Sequence, residues 1–144
     1  MLFRSGPRAA TPRGSVTDAA EAVGLNRKMA ISAASPRASS SEIQELEQIH
    51  KAFEKAILDD DVVGLSETDK AFHHTIIRAA HNKVFNIINH RLEEAFEKYR
   101  VKSFSIKQSR LRSLEQHRNI VQAMKNRDAE GAAREMVEHL DISH

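Results

Sequence analysis

Every proline of this chain lies at or before residue 36, and the 108 residues that follow contain none. Proline removes a helix hydrogen-bond donor and clashes with the preceding turn, so a stretch without it is free to form long helices. Only Gly64 and Gly131 interrupt that stretch with glycine, and it is rich in Leu, Ile, Ala, Glu and Lys, which are good helix formers. Strand-type alternation is absent, and no internal repeat appears. The expected class is all-α.

Caps and apolar spacing divide the stretch into helices. A first helix starts after Ser40 or Ser41 and carries Ile43, Leu46, Ile49, Phe53 and Ile57 on one face. Asp59-Asp60-Asp61 ends it and caps a second, which runs to about Asn82, a residue type suited to a left-handed C-terminal cap. A third points Val84, Ile88, Leu92, Ala95 and Tyr99 inward and reaches about residue 101. The capping-box pair Ser113 and Gln116 predicts a fourth, with Leu114, His117, Val121 and Met124 along its stripe. Asp128 caps a fifth, carrying Ala132, Met136, His139 and Leu140. Residues 17–34 add a sixth, and short loops favour an antiparallel bundle of five to six helices around an interior pocket.

Composition narrows the function. The chain has no Cys, which excludes disulfides and thiolate metal sites and leaves any metal to the eight His and the carboxylates. Aromatic residues make up 5% of the chain, with no Trp, too few for a base-stacking surface. Residues 1–40 hold six basic residues against Asp18 and Glu21, whereas residues 41–144 hold 16 basic and 18 acidic. The basic character thus sits in the leader, and the bundle has no electrostatic reason to touch DNA. No apolar run is long enough for a membrane span or a secretory signal, so a cytoplasmic protein is expected.

The informative anomaly lies on the second helix. Its inward stripe reads Leu65, Asp69, Phe72, His73, Ile76, Ala80, placing a carboxylate and an imidazole where a plain bundle has Leu or Val. Four residues of helix rotate by only ~40°, so Asp69 and His73 share one face. His117 and His139 lie on the apolar stripes of their own helices. A buried carboxylate needs compensation, and a divalent cation held by Asp69, His73, His117 and His139 supplies it. Zinc suits this set first. Nickel, manganese or iron suit it if water and an exogenous ligand complete an octahedron. Two plainer readings stay open: Asp69 is three residues after Ser66, the spacing of a capping box, and a single core histidine commonly hydrogen-bonds a neighbour. His50, His74, His81, His90 and His144 fall on polar faces or ends and read as solvated, and helix phase does not decide which of Arg78, Arg91, Arg100 and Arg112 point inward.

The string Asp69-Lys-Ala-Phe72-His73-His-Thr-Ile76-Ile-Arg-Ala-Ala-His-Asn82, then Glu115-Gln-His117-Arg-Asn-Ile120-Val-Gln-Ala123, then Asp128 and Ala132 to His139-Leu140, resembles a known domain. It is similar, over about residues 37–144, to the FCD domain, the C-terminal ligand-binding domain of GntR-type bacterial transcription regulators. The resemblance implies an all-helical antiparallel bundle, usually a homodimer. In the metal-containing branch the interior pocket binds a divalent cation through positions that fall here on Asp69, His73, His117 and His139. It further implies a small organic acid as effector, completing the metal's shell and changing how the dimer presents its DNA-reading heads. Such regulators begin with a winged helix-turn-helix of ~65 to 70 residues, for which the first 40 leave no room, so the reader is expected to be missing or truncated.

The family's opening Arg-x-x-Leu-Glu-like pattern is matched poorly by residues 17–34. Val16 to Lys28 has instead the small-residue helix, Gly24 turn and basic follow-on of a helix-turn-helix core, which would make Arg27 and Lys28 base or phosphate contacts. An ordinary Ala-rich helix fits the same residues. The expected organisation is a flexible basic leader over residues 1–15. Residues 16–36 follow as a helical segment, either a relic of a reader or the first bundle helix, and 37–144 form the effector-binding bundle. The expected function is ligand sensing and dimerisation, not catalysis. The alternatives are a metal-dependent hydrolase-like enzyme and a metal-free helical dimerisation module; a di-iron bundle would need a second motif like Glu47-x-x-His50.

Overall fold

The computed structural model describes the backbone of residues 12–142 and the side chains of residues 18–137. Six helices follow one another: α1 (Pro12–Arg37), α2 (Ser40–Leu58), α3 (Val62–Ala79), α4 (Lys83–Phe104), α5 (Lys107–Lys125) and α6 (Ala129–Ile142). No strand occurs among the described residues, and no described helix is long and apolar enough to cross a membrane.

The junctions follow one local grammar. Ser39 forms a full capping box with Glu42 at the start of α2. Asp61, Asn82 and Asp128 then cap α3, α4 and α6, each side-chain oxygen accepting a backbone N–H at 2.9–3.0 Å. Immediately before each of these three caps stands a residue in the left-handed region: Asp60 (φ 53°), His81 (φ 54°) and Arg127 (φ 57°). None is glycine, so each carries steric strain of about 1 kcal/mol or more. Each is also held from another helix. Asp60 accepts from Arg110 Nη1 at 2.6 Å, His81 meets Glu42 at 3.2 Å, and Arg127 Nη1 donates to the carbonyls of Ser35 and Ala38 at the end of α1. Asn82 is therefore the N-cap of α4 (φ −140°), and His81 takes the left-handed position that the sequence suggested for Asn82.

Two helices depart from their expected reading. α5 begins at Lys107, six residues before Ser113, because Lys107 to Arg112 contains no breaker and simply continues the helix. Ser113 and Gln116 do not cap: Gln116 instead donates to the carbonyls of Glu135 and Met136 and pins α5 to α6. On α4 the inward phase differs from the expected one. Phe96, Arg100 and Phe104 are buried, while Val84 and Ile88 are exposed. Three large aromatic rings, Phe85, Phe96 and Phe104, gain more by facing the core than the smaller Val and Ile, and they set the rotation.

α1 runs unbroken through Gly24, so the described helix has no turn of the helix-turn-helix kind there. Its buried face is built from Ala20, Val23, Ala30, Ile31 and Ala34, and Ala38 just beyond its end is buried too. It packs most extensively on α6 and also on α4 and α3. Of the expected leader, residues 1–11 lie outside the described residues and 12–15 are already helical. The core has a large central cluster around Phe72, Ile76, Ile120 and Met124 and smaller ones around Phe53 and Phe96. Polar side chains collect where the three meet.

Candidate metal centre

α3 delivers Asp69 and His73 one turn apart, and α5 delivers His117 from across the bundle. All three are buried, with exposures of 5%, 4% and 0%. His117 Nε2 lies 3.0 Å from Asp69 Oδ1, and His73 Nε2 lies 3.3 Å from the same oxygen. Three donor atoms, one from each residue, lie within 4.8 Å of one another, a spacing that could hold a metal ion. Hydrocarbon fixes the His117 ring: Phe72 stacks on it at 4.0 Å and Phe53 meets it edgewise at 4.7 Å.

Electrostatics give the arrangement its chemistry. Burial alone would raise the Asp69 pKa, but its interactions with His73 and His117 hold it well below the usual carboxylate range. Asp69 is therefore a buried anion. Burial, with the Arg27 charge adding to it, pushes His73 down to about 3, so its imidazole is neutral. His117 Nε2 is hydrogen-bonded to Asp69, His73 Nε2 makes a longer contact with the same oxygen, and both Nδ1 atoms are buried without a partner. Imidazole nitrogens with a carboxylate are the donor set that zinc and its neighbours accept. The residues fit the group.

Two arginines complete the surroundings. Arg100, buried on α4, donates from Nε to Asp69 Oδ2 at 3.1 Å, and its Nη1 lies 2.8 Å from Glu93 and 3.1 Å from Glu97. Burial would lower its pKa, but Asp69 and Glu93 raise it, so it stays charged. Arg27 is 7% exposed and its guanidinium lies over the Phe96 ring at 4.9 Å. Burial pushes Arg27 down to about 10, still a cation at neutral pH, and its Nε has no hydrogen-bond partner. Both arginines line a cavity of about 40 Å³ beside Asp69 and His73, walled further by Tyr99, Ser103 and Ser113. That is room for water or an ion.

The structure thus brings together Asp69, His73 and His117. His139 belongs to α6, but its side chain lies outside the described residues. Arg27, expected at a DNA surface, faces this interior, while Lys28 is exposed. His74, His81 and His90 are exposed as expected, His144 lies outside the described residues, and His50 is half-buried with its ring 6.3 Å from that of His117. The sequence reading left Arg100 undecided among four arginines and assigned Arg27 to DNA, so neither was placed at this site. The Phe96, Arg100, Phe104 spacing of four was the available signal, obscured by the competing Val84 and Ile88 stripe.

The sequence profile of the FCD domain matches residues 27–142, most of the chain and all three donors. No curated protein matches.

Proposed function

This chain belongs to the FCD domain family, and on that premise we propose that it is a metal-assisted sensor of small organic acids. Membership makes it an effector-binding regulatory domain of the GntR type. In the reading proposed here, Asp69, His73 and His117 hold a divalent cation, zinc first among zinc, nickel, manganese and iron, with His139 as the fourth protein ligand. The bound cation would supply a Lewis-acidic position for one carboxylate oxygen of the effector.

The observation that carries this reading is the convergence of three buried donors on one oxygen of Asp69. A charge count supports an anionic effector. Arg27 and Arg100 stand against Asp69, Glu93 and Glu97, one negative charge in excess; a divalent cation turns this into one positive charge, and an acid's carboxylate restores balance. Arg27, a buried guanidinium over Phe96 with no ion-pair partner among the described residues, is the group we assign to that carboxylate. The 40 Å³ cavity has to widen to admit it, which couples occupancy to helix packing.

Dimerisation fits the outer face of α1 and α4, where Leu25, Met29, Val84, Ile87 and Ile88 are exposed. These side chains flank the contact in which Asn26 donates to the Phe85 carbonyl at 3.3 Å, so they form one apolar surface. Sedimentation of Ile87→Glu as a monomer beside a wild-type dimer would support it; identical sedimentation would not.

A second reading rests on Arg100. Because its guanidinium already supplies a positive charge to Asp69, the centre is electrostatically satisfied as a metal-free dimerisation module. A melting screen separates the two. The sensor reading predicts that zinc raises the melting temperature of chelator-treated protein and that an organic acid raises it further only when metal is present. Unchanged melting under both additions supports the metal-free module. Catalysis is disfavoured because Asp69 is the one carboxylate among the described residues lining the cavity, and as a metal ligand it leaves no separate base there.

A further inference from the structure

Arg100 divides the two oxygens of Asp69 between two tasks. Both histidine Nε2 atoms face Oδ1, at 3.0 and 3.3 Å, whereas Arg100 Nε takes Oδ2 at 3.1 Å. The guanidinium is itself fixed from behind. Its Nη1 reaches Glu93 Oε2 at 2.8 Å and Glu97 Oε1 at 3.1 Å, and its plane lies over Phe96 at 5.2 Å. Glu97 is tied in turn to α3 through Ser66 Oγ at 3.4 Å. With Nε on one carboxylate and Nη1 on two others, and only Nη2 buried without a partner, the planar fork cannot turn without breaking contacts at two of its three nitrogens.

From this geometry we infer that Arg100 is the positioning residue of the metal centre: it fixes the Asp69 carboxylate so that Oδ1 alone is presented to the cation, with Glu93 and Glu97 holding Arg100 in place. This rests on the metal-binding reading above. The opposite role, a built-in cation competing with the metal, would put Arg100 on the oxygen that faces the histidines, and it is on the other one. Charge repulsion between guanidinium and metal is offset by two carboxylates on its far side. Groups that orient a metal ligand commonly account for 10- to 100-fold in affinity.

The test uses the full chain, treated with chelator and titrated with zinc against a competing indicator and with cobalt(II) followed by its visible absorption. Arg100→Gln is expected to weaken zinc binding by about 10- to 100-fold. It should also lower the intensity of the cobalt bands, because a freed Asp69 offers both oxygens and raises the coordination number. Arg100→Lys should recover only part of both, since an ammonium is a point charge that does not span Asp69 and Glu93. Glu93→Gln keeps Arg100 and removes its outer anchor, so it decides the matter if Arg100→Gln does not fold; it should show a smaller loss in the same direction. Arg91→Gln, an exposed arginine on the same helix, should bind as wild type. Wild-type affinity and spectrum in both Arg100→Gln and Glu93→Gln, or tighter binding in either, would overturn the inference while leaving the metal reading standing. Absence of zinc and cobalt binding by the wild type itself would overturn the metal reading and this inference with it.

Discussion

Replacing Asp69 by Asn in metal-free protein probes how the buried centre is held together. The substitution keeps the shape and removes the charge at which Arg100, His73 and His117 converge at 3.1, 3.3 and 3.0 Å. Breaking a buried ion pair from one side typically costs 3–5 kcal/mol, because the partner charge is left uncompensated. Here that penalty is reduced: Arg100 retains Glu93 and Glu97. What remains is the loss of the charge that Arg100, His73 and His117 face, plus both imidazoles, which meet the same oxygen, having to change tautomer to accept from the new amide when its oxygen stays on Arg100. The expected destabilisation is therefore about 3 kcal/mol, near the lower end of the range. For a domain of this size that corresponds to roughly 10 °C in melting temperature. Urea denaturation of chelator-treated wild type and Asp69→Asn, followed by far-ultraviolet circular dichroism, measures it. A change below about 0.5 kcal/mol, or a stabilisation, would refute an ionised Asp69 held by this network.

Three further outcomes follow from named contacts. Glu42 is half-buried; burial would raise its pKa, but the Ser39 backbone N–H and His81 lower it, so its contribution is present above the ordinary Glu pKa and lost as pH falls through the lower folded value. Glu42→Gln should cost about 1 kcal/mol near neutrality, and its difference from wild type should shrink on acidification; a difference that grew would reverse the sign. His81→Gly relieves left-handed strain and forfeits only an exposed ion pair, so denaturation should show it neutral to about 1 kcal/mol more stable, whereas Arg127→Gly loses two charged hydrogen bonds to α1 and should be destabilised by about 2 kcal/mol. Equal effects would discount the tether to α1. In Gly64→Ala the new methyl would collide with the Asp61 carboxylate, so the roughly 1 kcal/mol gained in helix propensity is offset by displacement of the cap, while in an Asp61→Ala background the gain should appear in full. Additive effects of the two would count against this coupling.

The sequence made the start and the inward face of α3 legible, because its stripe is unambiguous and Asp61 caps it; the end was misplaced, since Asn82 caps α4 and His81 takes the left-handed position. Asp69 and His73 could be placed inside on phase alone, and the paired histidine of α5 followed from its own stripe. α4 was not legible in phase, since it carries two overlapping apolar stripes and only packing against α1 and α3 decides between them. Arg100 was hidden with it. α1 has a buried face of alanines, whose spacing gives little amphipathic signal, so Arg27 was read as a basic follow-on rather than as a wall of the cavity. His50 was read as solvated because its partners come from α5, not from its own helix.

The account stands or falls on metal binding at Asp69, His73 and His117. Chelator-treated protein titrated with zinc and analysed for bound metal after desalting should retain about one equivalent per chain, and His117→Ala should retain far less. Wild-type protein that retains no zinc, nickel, manganese or iron, with His117→Ala indistinguishable from it, would contradict the account.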